Sequence, residues 1–212
     1  DVARLLATVQ AELPPLAGIV HAAGEIATNP LGALDAESHQ AEIDRVFAGK
    51  VWGAWQLSEA TADLALDFFV CTSSIASVWG GFGQSAYGAA NAFLDGLAWR
   101  LRERGIPGIS VNFGPWSVGM ADEESRVRLG KRGIATLSPA DALTGMADVI
   151  AASFGRGSAP GPAQGVVARV DWAKFLPLYQ QAGRRPFLAE LEREVPSHLT
   201  GTAPSATRSG KT

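Results

Sequence analysis

The chain has 212 residues, with 18 lysines and arginines, 21 aspartates and glutamates and a formal net charge of −3 at pH 7. This nearly balanced charge does not favour nucleic acid or another polyanion as a partner. Apolar residues make up 47% of the chain, enough for a sizeable core, but no run approaches the ~18 apolar residues that a membrane span needs. The single cysteine, Cys71, excludes an internal disulfide framework and indicates a reducing, cytoplasmic location.

Alternation of helical and extended segments predicts an α/β fold. Residues 1–13 have the apolar spacing of one helix face, and Pro14-Pro15 ends that helix. The elements expected next are a strand within 16–24, one or two helices within 37–62, a strand at 66–72, a loop at 73–84 and a helix from about 85 to 104. The elements expected after these are a strand at 109–114, a charged helix-loop at 122–133, a helix capped by Ser138, a strand at 166–172 and an amphipathic stretch at 186–195.

The predicted strands are continuously apolar and are separated by helices. This pattern is typical of a parallel sheet that is covered by helices on both faces. Residues 196–212 consist of small and polar residues with scattered charge, a composition typical of linkers. We therefore expect one domain at 1–195 and a flexible tail at 196–212.

The stretch from Ser73 to Asn91 is the best candidate for chemistry. Ser74 follows an apolar strand, at the edge where open α/β sheets bind their ligands. Tyr87 and Asn91 are four residues apart and share one face of the next helix. A hydroxyl, a phenol and an amide that converge there indicate proton transfer to a carbonyl, provided that a cation lowers the pKa of the phenol from about 10. The residues alone also allow a purely structural interpretation of this stretch, as a glycine-rich turn followed by a half-buried tyrosine.

Two further features are weak by themselves. Lys50 lies in the middle of a predicted helix, where a lone lysine is usually solvated. The strand that ends in His21-Ala22-Ala23-Gly24 has small residues that would let a flat ligand lie against the backbone, although many strands end in glycine.

One resemblance connects these features. The segments Ser73-Ser74, Tyr87-Gly88-Ala89-Ala90-Asn91-Ala92-Phe93-Leu94-Asp95 and Val111-Asn112-Phe113-Gly114-Pro115-Trp116 resemble the ketoreductase domain of modular polyketide synthases. In this branch of the short-chain dehydrogenases, the lysine precedes the serine by 24 residues and the tyrosine follows it by 13, and Lys50, Ser74 and Tyr87 have both spacings. The resemblance covers nearly the whole chain and implies a partial Rossmann-like, doubly wound parallel sheet.

The resemblance also implies a role for each matched residue. Tyr87 would donate a proton to a carbonyl oxygen as hydride arrives from NADPH, and Ser74 would hydrogen-bond the same oxygen. Lys50 would lower the pKa of Tyr87 and bind the nicotinamide ribose, and Asn91 would position a relay water. No metal is implied. The residues expected to contact the cofactor are Ala22, Ala23, Gly24, Lys50, Tyr87, Gly114 and Pro115.

Three residues are expected to face the substrate: Trp79, Gln84 and Met120. Trp79 precedes Tyr87 by eight residues, as in the type of this family that forms the L-alcohol, and the Leu-Asp-Asp of the opposite type is replaced by Ile26-Ala27-Thr28. Alternatively, Trp79 simply packs at the rim of the cleft. Gln84 replaces a histidine associated with one α-methyl epimer. The charged segment after Met120 would form a lid.

The implied reaction is the NADPH-dependent reduction of a β-keto group of a polyketide intermediate. Acyl carrier protein would hold this intermediate as a phosphopantetheine thioester, and the other synthase domains would be further partners. A tail at 196–212 suits a tether to the carrier domain. A reductase of free small ketones remains an alternative, as does a non-reducing structural domain, although all the catalytic residues are present. The glycine-rich turn that holds the cofactor pyrophosphate in this family is missing from 1–212. We therefore expect the N-terminal half of the domain to be a missing partner, and the fragment alone to be inactive.

Overall fold

The computed structural model describes residues 2–27, 29–30, 32, 35–119, 123–155, 160–181, 183 and 185–194. The helices in these ranges are α1 (Val2–Glu12), α2 (Ala36–Phe47), α3 (Ala54–Ala60), α4 (Ile75–Val78), α5 (Ser85–Glu103), α6 (Glu123–Lys131), α7 (Pro139–Ser153), α8 (Trp172–Tyr179) and α9 (Ala189–Glu194). The strands are β1 (Gly18–His21), β2 (Phe68–Ser74), β3 (Gly108–Phe113), β4 (Ile134–Ala135), β5 (Gln164–Val167) and β6 (Arg169–Val170). A π-helical segment (Ala48–Gly53) joins α2 to α3, and a 3-10 turn (Pro186–Leu188) precedes α9.

Four strands form one parallel sheet in the order β1-β2-β3-β5. In its register Gly18 pairs with Phe68, Phe69 with Gly108, and Ser110 with Gln164. Each connection between neighbouring strands contains at least one helix, which is how parallel strands are joined. The predicted α/β fold with a partial Rossmann-like sheet is therefore confirmed.

Helices cover both faces of this sheet, as the apolar strands predicted. Side chains alternate along β2, so Phe69 and Cys71 point to one face and Val70 to the other. The first face packs against α3 and α5 in a cluster that includes Leu94 and Leu101. The second face packs against α7 in a cluster that includes Val70 and Ala142. The core thus lies on both sides of the sheet.

Local sequence signals mark the start of α7 and the end of α5. Ser138 caps α7, because its side chain accepts a hydrogen bond from the Asp141 amide, and Pro139 occupies the first turn. Basic residues lie in the last turn of α5, and Gly105 follows with a φ of 81°, a conformation that favours glycine. The bounds of α5 were predicted within a residue, and Ser138 was predicted as the cap of α7.

Two predicted strands have different bounds. The strand expected at 66–72 lies at Phe68–Ser74, so Ser74 is its last residue, and the loop expected at 73–84 contains α4. The strand expected at 166–172 is divided, because β5 ends at Val167 and β6 pairs antiparallel with β4. Asp171 then accepts a hydrogen bond from the Lys174 amide and caps α8, which an apolar pattern alone does not reveal.

The tail expected at 196–212 lies outside the described residues. Within the described ranges, no helix is both long enough and apolar enough to cross a bilayer.

Candidate active site

A cleft of about 450 Å³ opens at the carboxyl ends of β2 and β3. Its walls include aromatic side chains from several elements: Trp79, Phe82, Phe113, Trp116 and Phe175. Polar side chains lie among them: Lys50, Ser73, Ser74, Gln84, Tyr87, Arg128 and Arg132. The carboxyl edge of an open parallel sheet is where such folds bind their ligands, so the cleft is the candidate active site.

Ser74 is held by its position between a strand and a helix. It is the last residue of β2 and the N-cap of α4, and its Oγ accepts a hydrogen bond from the Ala76 amide at 3.2 Å. The side chain is 9% exposed and lines the cleft. Because Oγ acts as the acceptor in the cap, its hydroxyl hydrogen remains available as a donor.

Tyr87 lies in the first turn of α5 and lines the same cleft, with 7% of its surface exposed. Burial raises the pKa of Tyr87 above 10.0, and hydrogen bonds from the Ser74 and Asn91 side chains act in the opposite direction. The phenol is therefore protonated at neutral pH and can serve as a proton donor. The interpretation that Lys50 lowers this pKa stays a prediction.

Lys50 is a buried lysine in the π-helical segment, with 3% of its surface exposed. Its Nζ donates a hydrogen bond to the backbone oxygen of Thr72 at 3.0 Å and lies 5.7 Å from the ring centroid of Tyr87. Burial lowers the pKa of Lys50 from 10.5 to about 8, whereas Cys71 and Asp95 act to raise it. Lys50 is thus not a solvated helix lysine. π-helical turns are rare and frequently occur at functional sites.

Asn91 lies behind the cleft and does not line it. The side chain is fully buried, and its Nδ2 donates to the backbone oxygen of Tyr87 at 2.7 Å. Its Oδ1 has no hydrogen-bond partner among the described residues. A buried amide oxygen of this kind commonly accepts a hydrogen bond from water, so the relay-water role remains a prediction that the geometry allows.

The residues expected at the cofactor divide into two groups. Ala22, Gly114 and Pro115 line the cleft together with Lys50, whereas Ala23 and Gly24 do not. A Cβ on Gly24 would lie 2.6 Å from Cε of Lys50. The small size of Gly24 is therefore needed for packing against the lysine stem rather than for an open ligand surface. The first group lines the cleft beside Lys50 and Tyr87, so these residues fit the nicotinamide end of the expected cofactor.

The residues expected at the substrate lie partly in the cleft. Trp79 and Gln84 line it, and Met120 lies outside the described residues. The Trp79 ring packs against Trp172 and Phe175, with centroids 6.0 and 5.3 Å apart. Trp79 therefore both faces the cleft and packs at its rim, and the geometry leaves the two interpretations open.

The structure adds Arg128 of α6, Arg132 directly after α6 and Phe175 of α8 to the wall of the cleft. The sequence interpretation predicted a lid from the charged segment after Met120, but it missed the contact of these arginines and of α8 with the cleft. These helices lie far along the chain from Tyr87, and no spacing rule connects them. It also missed the buried carboxylate of Asp95. Here a signal existed, since Tyr87, Asn91 and Asp95 follow one another at four-residue intervals on one face of α5.

No cluster of metal-binding side chains occurs in the described part of the chain.

Comparison with known proteins finds similarity to polyketide synthases and to their ketoreductase domains. The family model described as KR domain matches residues 1–118. The phenolphthiocerol synthesis polyketide synthase type I Pks15/1 of Mycobacterium marinum is 42% identical over 153 residues, which are 70% of this chain and 7% of that synthase. The solved ketoreductase from the first module of phoslactomycin biosynthesis in Streptomyces sp. HK803 is 37% identical with a TM-score of 0.76, covering 88% of this chain and 42% of that one. A solved A-type ketoreductase from a modular polyketide synthase is 32% identical with a TM-score of 0.76, covering 91% and 40%.

Proposed function

Because this chain belongs to the KR domain family, the nicotinamide-dependent ketoreductases of polyketide synthases, we propose that its cleft reduces the β-keto group of a polyketide intermediate with NADPH. The intermediate is carried on acyl carrier protein as a phosphopantetheine thioester, and the other domains of a synthase supply and receive it. The observation that carries the proposal is the convergence of Lys50, Ser74 and Tyr87 at one cleft.

The proton comes from Tyr87. When bound, NADPH supplies the hydride that reaches the carbonyl carbon. The buried phenol gives its proton to the carbonyl oxygen, so the ketone gains one hydride and one proton and becomes an alcohol. Ser74, whose side chain hydrogen-bonds to the Tyr87 phenol, donates its hydroxyl hydrogen to the same carbonyl oxygen and stabilises the charge that develops there.

The charge left on Tyr87 is stabilised by Lys50. With a pKa of about 8, Lys50 is mostly protonated at pH 7. Its Nζ lies 5.7 Å from the Tyr87 ring centroid in a site of low exposure, where opposite charges attract more strongly than in water. Asn91 holds the water that returns a proton to the phenol.

Ala22, Gly114, Pro115 and Lys50 hold the nicotinamide end of the cofactor. The cofactor pyrophosphate requires the glycine-rich turn of the family, which the 212 residues do not contain. We propose that the N-terminal half of the ketoreductase domain supplies this turn.

The product is proposed to be the L-alcohol. Trp79 lines the cleft, and its packing against Trp172 and Phe175 limits how its ring can move, so it can block one approach of the substrate. One solved relative of this chain is an A-type ketoreductase. Chiral chromatography of the product tests this point, and a D-alcohol product would reject it.

The reaction is tested by joining this chain to the N-terminal half of the phoslactomycin ketoreductase and following NADPH oxidation with a β-ketoacyl thioester. Tyr87→Phe removes the proton donor and should lower kcat by about 10³-fold or more. Tyr179→Phe is the matched control. Tyr179 is the only other tyrosine of the chain; it stacks on Phe175 but does not itself line the cleft, so its replacement should change kcat by no more than about twofold. Near-normal turnover by Tyr87→Phe would remove Tyr87 from the acid role.

Two further comparisons address the alternatives. Faster reduction of the carrier-bound thioester than of a free small ketone supports the synthase substrate, and the reverse order favours a reductase of free ketones. A joined protein that folds and binds NADPH but does not oxidise it with any ketone would indicate a structural domain.

A further inference from the structure

A buried amide lies behind the proposed active site and takes no part in the proposed chemistry. Asn112 is fully buried in β3, between the apolar residues Val111 and Phe113. Asparagine is depleted in strands, and burying an amide costs free energy unless it is hydrogen-bonded. The Asn112 Oδ1 has no hydrogen-bond partner among the described residues, so its Nδ2 makes the hydrogen bonds of this side chain.

The Asn112 nitrogen lies at the centre of a cluster of oxygen atoms. Its Nδ2 lies 3.0 Å from Ser73 Oγ, 2.9 Å from Ser77 Oγ and 3.3 Å from the backbone oxygen of Ser74. Both carboxylate oxygens of Asp95 lie 3.0 Å from the same nitrogen. The backbone oxygen of Ser74 can only accept a hydrogen bond, so the cluster requires the amide nitrogen at this place. One donor group thus contacts β2, α4 and α5.

Ser77 completes the connection to Ser74. The Ser77 Oγ lies 2.8 Å from the backbone oxygen of Ser74 and 2.7 Å from Oδ2 of Asp95. The Ser74 carbonyl is therefore contacted both by the Asn112 amide and by the Ser77 hydroxyl. The side chain of Ser74 lines the cleft and hydrogen-bonds to the Tyr87 phenol. Because the carbonyl and the side chain belong to one residue, contacts that fix the carbonyl also limit where Oγ points.

We propose that Asn112 and Ser77 are positioning residues of the reductase. Through the Ser74 carbonyl they fix the Ser74 hydroxyl against the Tyr87 phenol. Through Asp95 they hold α4 against α5. Neither side chain lines the cleft, so both act through Ser74 and not on the substrate. The importance of these contacts for catalysis rests on the proposed function, whereas the contacts themselves lie within this chain and are tested without it.

The contact between Asn112 and Asp95 is tested by exchanging the two side chains. Asn112→Asp places an acceptor where the donor lies, so at pH 7 it should lower the folding equilibrium constant about tenfold or more. The double variant Asn112→Asp/Asp95→Asn restores one donor and one acceptor to the pair. Its folding constant should therefore exceed the value expected from the two single changes by about threefold or more. Urea unfolding of the 212-residue chain measures all four proteins.

Single effects that simply multiply in the double variant would overturn the proposal, because the two side chains would then not be in contact. If Asn112→Asp does not fold by itself, a double variant that folds is the expected rescue.

The positioning role is tested with two serines that contact the same carboxylate. Ser77 Oγ contacts Asp95 and the Ser74 carbonyl, whereas Ser110 Oγ hydrogen-bonds, among the described residues, to Asp95 alone. In the joined reductase, Ser77→Ala should lower kcat about tenfold, because the Ser74 hydroxyl is no longer fixed against Tyr87. Ser110→Ala should leave kcat within about twofold. Both variants should lower the folding constant by a similar factor and leave the Kd for NADPH unchanged.

Equal kcat values for Ser77→Ala and Ser110→Ala would overturn the proposal, because lost stability would then explain both. This comparison also decides the question if neither the Asn112→Asp variant nor the double variant folds. The exchange supplies a second readout, since the double variant should regain part of the kcat that Asn112→Asp loses. Recovery of folding without recovery of kcat would assign the contacts to the fold alone and reject the positioning role. If the unaltered joined protein does not reduce a β-ketoacyl thioester, the proposed function fails while the unfolding result stands.

Discussion

Replacing Lys50 by methionine should stabilise the chain at neutral pH. The ammonium group is 3% exposed, and burial lowers its pKa from 10.5 to about 8. One pKa unit corresponds to about 1.4 kcal/mol, so keeping this group protonated in the folded chain at pH 7 costs about 3 kcal/mol. Methionine keeps most of the stem and removes the charge, but it also loses the hydrogen bond to Thr72, worth about 1 kcal/mol. The expected net gain in the free energy of unfolding is about 2 kcal/mol.

The pH dependence of this gain has a definite sign. Below about pH 8 Lys50 is protonated in the folded and the unfolded chain, and the full cost of burial is present. Between about 8 and 10.5 the folded chain has released the proton that the unfolded chain still binds, so Lys50 makes stability rise with pH. Cys71 acts oppositely, because burial raises its pKa from 9.0 to about 12 and the unfolded chain loses that proton first. Both proteins contain Cys71, so its contribution largely cancels when the free energy of unfolding of the unaltered chain is subtracted from that of Lys50→Met. The remaining pH dependence is that of Lys50.

Urea unfolding followed by tryptophan fluorescence at several pH values between about 7 and 10 measures this difference. The advantage of Lys50→Met should shrink by about 2.5 kcal/mol across the range, because the unfolded chain still holds much of its Lys50 proton at pH 10. Lys131→Met is the control, because Lys131 is an exposed residue of α6 and its replacement should not reproduce the trend. A difference that stays constant from neutral to alkaline pH would show that Lys50 is hydrated in the folded chain and that its burial has no cost in free energy.

The other predictions concern a glycine, an arginine and the cysteine. Gly24→Ala places a Cβ 2.6 Å from Cε of the buried lysine and should lower kcat of the joined reductase about tenfold or more, whereas Gly96→Ala, which enters open space, should not. Arg102→Ala should lower the free energy of unfolding in urea by about 2 to 3 kcal/mol, because the Arg102 guanidinium donates to four backbone carbonyls. Arg104→Ala, which removes one ion pair, should lower it by less than about 1 kcal/mol. Cys71, with its pKa raised to about 12, should react with iodoacetamide in urea but not in the native chain, and rapid native labelling would contradict its burial.

Local sequence patterns predicted most of the elements because their signals lie within a few residues. The Ser138-Pro139 start of α7 and the basic last turn and Gly105 stop of α5 are examples. The same local rules failed at 166–172, because whether a short apolar run stays in one sheet depends on its pairing partners. Val167 pairs with the parallel sheet and Val170 with Ile134 of a separate antiparallel pair.

The spacing of Lys50, Ser74 and Tyr87 along the chain, which is that of a polyketide ketoreductase, was enough to predict which residues carry the proposed chemistry. It did not determine the state of those groups. Folding, and not spacing, buries the Lys50 amine 5.7 Å from the centroid of the Tyr87 ring. The protonation of each group depends on the solvent and the charges that packing leaves around it, so it follows from the three-dimensional structure. Residue spacing thus identifies the candidate catalytic residues, whereas their protonation depends on how the folded chain buries them.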